Sequence, residues 1–100
     1  MILKEILSET GTAGKPVVRK LQQGKATDSH VLAIGLGKEV VLRDHKSDIP
    51  AKIVVLKGKM VYKEKDTKVV LQALDEYDIP VGEIHRVEAI EDSLFIVIKG

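Results

Sequence analysis

The sequence predicts an all-β domain, built as a small sandwich or barrel of short strands. Valine and isoleucine dominate over alanine, a composition that favours strands over helices. Short apolar runs recur at intervals of about 8–12 residues and are separated by charged or glycine-containing turns. No segment has a convincing helical pattern, so about eight to ten strands are expected to form the core.

Size and composition narrow the class of protein. A chain of 100 residues makes one domain, and a domain this small buries only about 60–70% of its unfolded surface, which favours a partner subunit. The net charge of +1, the absence of a basic block and the aromatic content of 3% argue against nucleic-acid binding. Because cysteine is absent, disulfides and thiolate metal sites are excluded, and a reducing, cytoplasmic location is expected.

Residues 1–36 are expected to form N-terminal strands and loops. Residues 2–7 fit either a turn of helix or an edge strand, and their charges argue against a signal peptide or a membrane span. This apolar segment has no obvious place in a minimal barrel, so the region is expected to supply the contact of a homodimer. Strands are predicted at residues 17–22 and 30–36, and residues 24–29 are predicted to connect them.

Residues 37–100 are expected to form the barrel core. In the strand at 40–45, alternation places Val41, Arg43 and His45 on one face. Further strands, several of them joined as hairpins by short charged turns, are predicted at 51–56, 60–63, 67–71, 85–89 and 94–98.

One stretch, residues 75–87, bends the backbone and aims a histidine. Pro80 fixes its own φ and has no N–H, and Gly82 takes positive φ at little cost. This step is expected to point His85 in a set direction at the start of a new strand.

The same stretch resembles the second motif of the cupin superfamily, in which an acidic residue, a proline, a glycine and a histidine recur at these spacings. The matching residues are Asp75, Pro80, Gly82 and His85. Leu74 stands where a glycine is usual, and Ala89 where an asparagine often falls. The resemblance covers roughly residues 37–98 and implies a double-stranded β-helix, which is a jelly-roll barrel of two sheets.

The first motif of that family is reduced in this chain. His45 fits its first histidine and Gly58 fits its glycine, while the upstream Gly37 is out of register. Ser47 occupies the place of the second histidine, and Ala51 that of the glutamate. The usual site in the family holds a divalent metal with three imidazoles and one carboxylate.

The resemblance therefore leaves His45 and His85 as the candidate metal ligands. Catalytic metal sites normally use at least three protein ligands, so a further donor would have to come from Asp48, Glu83 or a bound ligand. The cofactor prediction is either none or one divalent transition metal ion. The alternative interpretation of His45 is a solvated strand end, and His30 is expected to be a surface or structural residue.

A ligand pocket inside the barrel is the other candidate site. By the family pattern, one apolar face of the strand at 51–56 would line it. An inward Arg43 would indicate an anionic ligand such as a carboxylate, and the favoured alternative is an exposed Arg43 near the barrel mouth. An apolar wall with one or two imidazoles suits a small, partly hydrophobic organic molecule. The predicted pocket residues are Arg43, Ala51, Ile53, Val55, His85 and Val87.

Two functional hypotheses stay open. The favoured one is a small single-domain cupin that binds a small, partly apolar molecule or serves as an accessory module, with little or no catalysis. The alternative is a metal-dependent enzyme, an oxygenase or isomerase, that completes its site with unusual donors. Neither nucleic acid nor a membrane is an expected partner. The runner-up fold is an immunoglobulin-like sandwich, against which the absence of cysteine and tryptophan argues.

Overall fold

The structure, a computed structural model, describes residues 1–23 and 30–100; the predicted connection at 24–29 lies outside the described residues. The elements in chain order are α1 (Ile2–Ala13), β1 (Val17–Gln23), β2 (His30–Leu36), β3 (Val41–His45), β4 (Ala51–Lys57), β5 (Lys59–Glu64), β6 (Thr67–Gln72), β7 (Glu76–Ile79), β8 (His85–Ala89) and β9 (Ser93–Lys99). A five-stranded sheet has the order β1-β2-β9-β4-β7, and a four-stranded sheet has the order β3-β8-β5-β6. The predicted all-β architecture of two antiparallel sheets is confirmed.

The main core lies between the two sheets and is built by alternation along the strands. In β4, Ala51, Ile53 and Val55 are buried, and the side chains between them are half-buried. Each sheet therefore turns one apolar face inward, as a period of two residues requires. The largest fully buried side chains of this core are Tyr62, Phe95, Leu36, Ile53 and Met60.

The N-terminal segment is a helix, which corrects the expectation that the chain has no helix and that this segment has no place in the barrel. α1 packs against β1, β2 and β9, and it buries Ile6 and Thr10, which lie one helical turn apart. A Cβ atom at Gly35 of β2 would overlap both side chains, so the glycine lets the helix lie directly against the strand. Gly14 ends the helix with a left-handed φ of 66°. The homodimer stays a prediction. Because the N-terminal segment packs on its own sheet, it no longer supports a contact between two subunits.

No helix in the described part of the chain is long and apolar enough to cross a lipid bilayer.

The bend after β7 turns His85 toward the interior. Gly82 has a φ of 78°, and its N–H donates to the carbonyl oxygen of Ser47 at 2.9 Å, which ties the bend to the segment after β3. β8 then begins with His85, whose side chain is 3% exposed. Leu74, before β7, also has a left-handed φ, of 76°, which costs a leucine conformational energy.

Candidate functional site

Two histidines face each other across β3 and β8. The antiparallel register pairs His45 directly with His85. Their Nε2 atoms are 3.0 Å apart, and the ring centroids are 4.1 Å apart with the planes at 61°. The ring of His85 is buried, whereas His45 is exposed. Strand pairing thus joins one histidine from each motif region into a single unit.

Backbone carbonyl groups orient both rings. The Nδ1 atom of His45 lies 2.9 Å from the carbonyl oxygen of Arg43, and that of His85 lies 3.1 Å from the carbonyl oxygen of Glu83. A carbonyl oxygen only accepts hydrogen bonds, so each Nδ1 is positioned to donate. The two Nε2 atoms are consequently directed at one another.

An irregularity in β3 brings His45 to the interior. Regular alternation would place Arg43 and His45 on the same face. The register between β3 and β8 shifts between Leu42 and His45. Because of this shift, Leu42 and His45 both line the interior cavity, while Arg43 is exposed. The assignment of Arg43 to the pocket wall is therefore corrected; at the site it contributes its backbone carbonyl.

Behind the histidine pair lies a cavity of about 20 Å³, room for about one water molecule. Among the predicted pocket residues, Ala51, Ile53 and Val87 lie in its wall beside His85. Val55 is buried in the core but lies outside that wall, which corrects its assignment. The polar lining residues are His45, Ser47, His85 and Lys99, and the rest of the wall is apolar.

Lys99 extends the polar end of the interior onto the other sheet, and His30 is its neighbour in that sheet. Lys99 of β9 pairs with Ala51 of β4 on one side and with His30 of β2 on the other. His30, expected to be a surface or structural residue, is half-buried at this end of the five-stranded sheet. The position of Lys99 beside Ala51 and His30 could not be predicted from the sequence, because it depends on the register of three strands.

His85 also lines an open groove of about 600 Å³ beside the hairpin of β5 and β6. The charged residues of the groove are Asp44, Glu64, Glu83, Lys63, Lys65 and Arg86. The Nε atom of Arg86 lies 2.8 Å from Oδ1 of Asp44, and this hydrogen bond holds the pKa of Asp44 below its usual value. Acidic and basic side chains are equally represented, so the groove has no strong preference for an anion or a cation.

A carboxylate between two tyrosine hydroxyls supports the site, and the sequence analysis missed it. The hydroxyls of Tyr62 and Tyr77 donate to the two carboxylate oxygens of Glu64, each at 2.8 Å. The ring of Tyr62 stacks on that of His85 with centroids 5.6 Å apart. Burial, reinforced by Glu64, raises the pKa of Tyr62, which stays a hydrogen-bond donor. The available signal was the spacing of Tyr62 and Glu64, which places them on one strand face.

The surroundings of His85 favour its neutral form. Burial is the main cause that lowers the pKa of His85. The carbonyl of Glu83 and the carboxylate of Glu64 act in the opposite direction, while His45 and Lys99 lower the pKa further.

The donor set does not fit a centre of three imidazoles and one carboxylate. The two imidazoles are held through Nδ1 as metal ligands usually are. Ser47, however, donates its hydroxyl to the carbonyl oxygen of Ile49 at 2.7 Å, and Glu83 is paired with Lys65 at 3.1 Å. Asp48 is exposed. Within residues 1–23 and 30–100, no group of three His, Cys, Asp or Glu side chains is placed to hold an ion.

The two facing sheets form the double-stranded β-helix of the cupin fold, as predicted. An RmlC-like cupin protein from Desulfovibrio desulfuricans is similar, with a TM-score of 0.77, 16% identity and coverage of 90% of this chain and 86% of that one. A Klebsiella pneumoniae protein with a double-stranded β-helix domain has a TM-score of 0.77, 17% identity and coverage of 94% and 85%. A cupin superfamily protein from Desulfitobacterium hafniense has a TM-score of 0.74, 14% identity and coverage of 83% and 76%. At these identities the likeness establishes the fold alone. Neither a protein-family model nor a curated protein matches the sequence.

Proposed function

We propose that this cupin-fold domain binds a small, partly apolar organic acid at the His45–His85 end of its interior, with little or no catalysis. One observation carries the proposal: the cavity has an apolar wall, and its polar residues are two histidines, a serine and a lysine, with no carboxylate among them. An ammonium and imidazole groups favour a carboxylate, and the wall favours an aliphatic chain.

The volumes on the two sides of His85 indicate how such a ligand would lie. The cavity admits about one water-sized group, so only a small part of a ligand enters it in this conformation. The groove is far larger and offers Ile84, which is 58% exposed, as an apolar contact. In this proposal the carboxylate lies near Lys99 and the first carbons lie against the apolar wall, so the cavity has to widen when the ligand enters. The rest of a short chain would contact Ile84 on the groove side of His85.

Ligand discrimination tests the proposal. We expect hexanoate to bind at least about tenfold more tightly than hexanamide, because only the acid makes a charge-assisted hydrogen bond, worth about 1.5–3 kcal/mol. Isothermal titration calorimetry measures both affinities. Lys99→Met should remove most of the difference. Lys57→Met is the matched control, since it removes an exposed charge at the opposite end of β4.

Three outcomes would contradict this function in different ways. Failure of both compounds to bind would exclude the site as a ligand pocket. Equal affinities would exclude an acid as the ligand class. An acid preference that survives Lys99→Met would place the binding elsewhere.

The metal-dependent alternative has its own test, because it needs a donor beyond the two imidazoles. We expect purified protein to contain less than stoichiometric iron, manganese, nickel, copper or zinc by plasma mass spectrometry. A stoichiometric metal that disappears in the His45→Gln, His85→Gln double variant would overturn the proposal of a metal-independent binding domain.

We also propose that the protein is a homodimer that pairs through the part of the outer face of the five-stranded sheet that α1 leaves uncovered, around Ile98. In support, Ile98 is 41% exposed on that face and is paired in the sheet with half-buried Val31. A second copy would cover this aliphatic surface. Light scattering should return about twice the chain mass of 11.0 kDa, and Ile98→Lys should halve it. Val70→Lys, an exposed site on the other sheet, is the control; a wild-type monomer would contradict the dimer.

A further inference from the structure

A hydrogen bond between the two sheets lies beside the enclosed cavity. The strand register places Glu64 of β5 next to His85 of β8, which lines both the cavity and the outer groove. On the other sheet, Tyr77 of β7 pairs with Ile53 of β4, whose side chain lines the cavity. The hydroxyl of Tyr77 donates to Oε1 of Glu64 at 2.8 Å. This bond therefore crosses from one sheet to the other on the groove side of the cavity.

The strand β7 is a wall of the cavity that has room to move. Among the described strands it pairs with β4 alone, so it is an edge of its sheet. Ile79 of β7 lines the cavity and lies on the same strand face as Tyr77. The start of the strand is held, because the N–H of Val55 donates to the carbonyl oxygen of Asp75 at 2.9 Å. An outward tilt of β7 about this held end would move Ile79 away from the cavity and break the bond to Glu64.

We propose that the Tyr77–Glu64 hydrogen bond, here called the latch, holds β7 in place and so sets the longest chain that the cavity accepts. This inference rests on the proposed function, in which the ligand is a short organic acid. The cavity of about 20 Å³ has room for one water-sized group, such as the methyl group of acetate. A longer acid needs β7 to tilt, so its apparent affinity is reduced by the fraction of molecules in which the latch is closed.

Two tyrosines bond to the same carboxylate, and they differ in what the bond joins. The hydroxyl of Tyr62 donates to Oε2 of Glu64 at 2.8 Å, but both residues belong to β5, so this bond does not restrain β7. It also keeps the carboxylate hydrogen-bonded when the latch is open. The rings of Tyr62 and Tyr77 lie 4.6 Å apart, a contact that phenylalanine retains at either position. Tyrosine-to-phenylalanine substitutions therefore isolate the two bonds.

Chain-length selectivity in these variants tests the latch. Titrations followed by ¹H–¹⁵N amide spectra give the affinities of acetate and hexanoate. We expect Tyr77→Phe to tighten hexanoate about tenfold relative to acetate, because a hydrogen bond to a charged group no longer has to break. Tyr62→Phe is the matched comparison, and it should change this ratio far less. A ratio that Tyr77→Phe leaves unchanged, or that both variants change equally, would overturn the latch.

Amide hydrogen exchange tests the latch without any ligand. In Tyr77→Phe we expect the amides of β7 to exchange about tenfold faster relative to those of β2, a strand paired on both sides, because β7 opens locally more often. Tyr62→Phe should accelerate β7 less. Equal changes on β7 and β2 would indicate global destabilisation and overturn the latch.

The two measurements distinguish failure of the latch from failure of the proposed function. Hexanoate binding that depends on Lys99, with no change of ratio in Tyr77→Phe, would overturn the latch and leave the proposed function standing. Failure of both acids to bind the wild type and the variants would overturn the proposed function and the chain-length rule together. Faster exchange confined to β7 would in that case still establish that Tyr77 restrains this strand.

Discussion

The two strands that carry the facing histidines differ in regularity. β8 lies between β3 and β5, and its residues His85, Val87 and Ala89 alternate into the interior without interruption. Among the strands that the structure describes, β3 is an edge strand with β8 as its one neighbour, and its register shifts between Leu42 and His45. Pairing on both sides fixes which way a side chain of β8 points. On β3, the direction of a side chain depends on a local irregularity, which is possible because one edge of the strand is not paired with another described strand.

The largest expected effect is at Tyr62, whose ring stacks on His85 of the regular strand. Tyr62→Ala should lower the free energy of unfolding by about 3–5 kcal/mol, because it removes a fully buried aromatic ring. Urea denaturation measures the loss. Tyr77→Ala, at a half-buried site on the edge strand β7, should lower the free energy of unfolding by less. An equal loss would contradict the expectation that the buried ring stacked on β8 contributes more to stability.

Equivalent truncations on the two strands compare them directly. Val87→Ala on β8 should cost about 2 kcal/mol, because the valine is 1% exposed. Val41→Ala on β3 should cost less than about 1 kcal/mol, because this valine is half-buried at an edge. Thermal unfolding of both variants measures the two losses in the free energy of unfolding. Equal losses would mean that the edge strand is held as firmly as the inner one.

Acid should weaken the protein through the buried ring. Burial lowers the pKa of His85 in the folded state, so the unfolded chain binds more protons at this residue. Its contribution is therefore present above about pH 6.5, the ordinary value for histidine, and is lost as pH falls, by at most about 1.4 kcal/mol per pH unit. Urea midpoints between pH 7 and 5 measure the slope. His85→Gln should flatten it, and a wild-type slope of zero would contradict the prediction.

The smallest expected effect is a gain in the turn that leads into β7. Leu74→Gly should stabilise the protein by about 1 kcal/mol, because glycine adopts the positive φ without the strain that leucine bears. Ala73→Gly, at the neighbouring exposed residue, should be destabilising and serves as the control. Calorimetry measures the melting temperature of each variant. Melting temperatures that both rise or both fall relative to the wild type would contradict the prediction.

The same contrast explains what the sequence could predict. Two sheets with inward alternation follow from composition and strand spacing, and the Pro80–Gly82 bend correctly marked a change of direction before β8. The shift in β3 was not predictable, because a period of two assumes an unbroken ladder. The sequence left residues 2–7 undecided between a turn of helix and an edge strand, and it did not predict a helix of this length packed on the sheet. That packing depends on Gly35, a residue of a strand distant in sequence. Contacts that join separate strands, such as Tyr77 with Glu64, leave no local pattern.

The hydrogen bond from Tyr77 to Glu64 connects the two layers of the molecule, because β7 belongs to the five-stranded sheet and β5 to the four-stranded one. Neither residue lines the enclosed cavity. Parting the layers on that side means breaking a bond to a carboxylate that also raises the pKa of His85. The spacing of the two layers and the charge preference of the imidazole at the end of the interior are therefore linked through one side chain, Glu64.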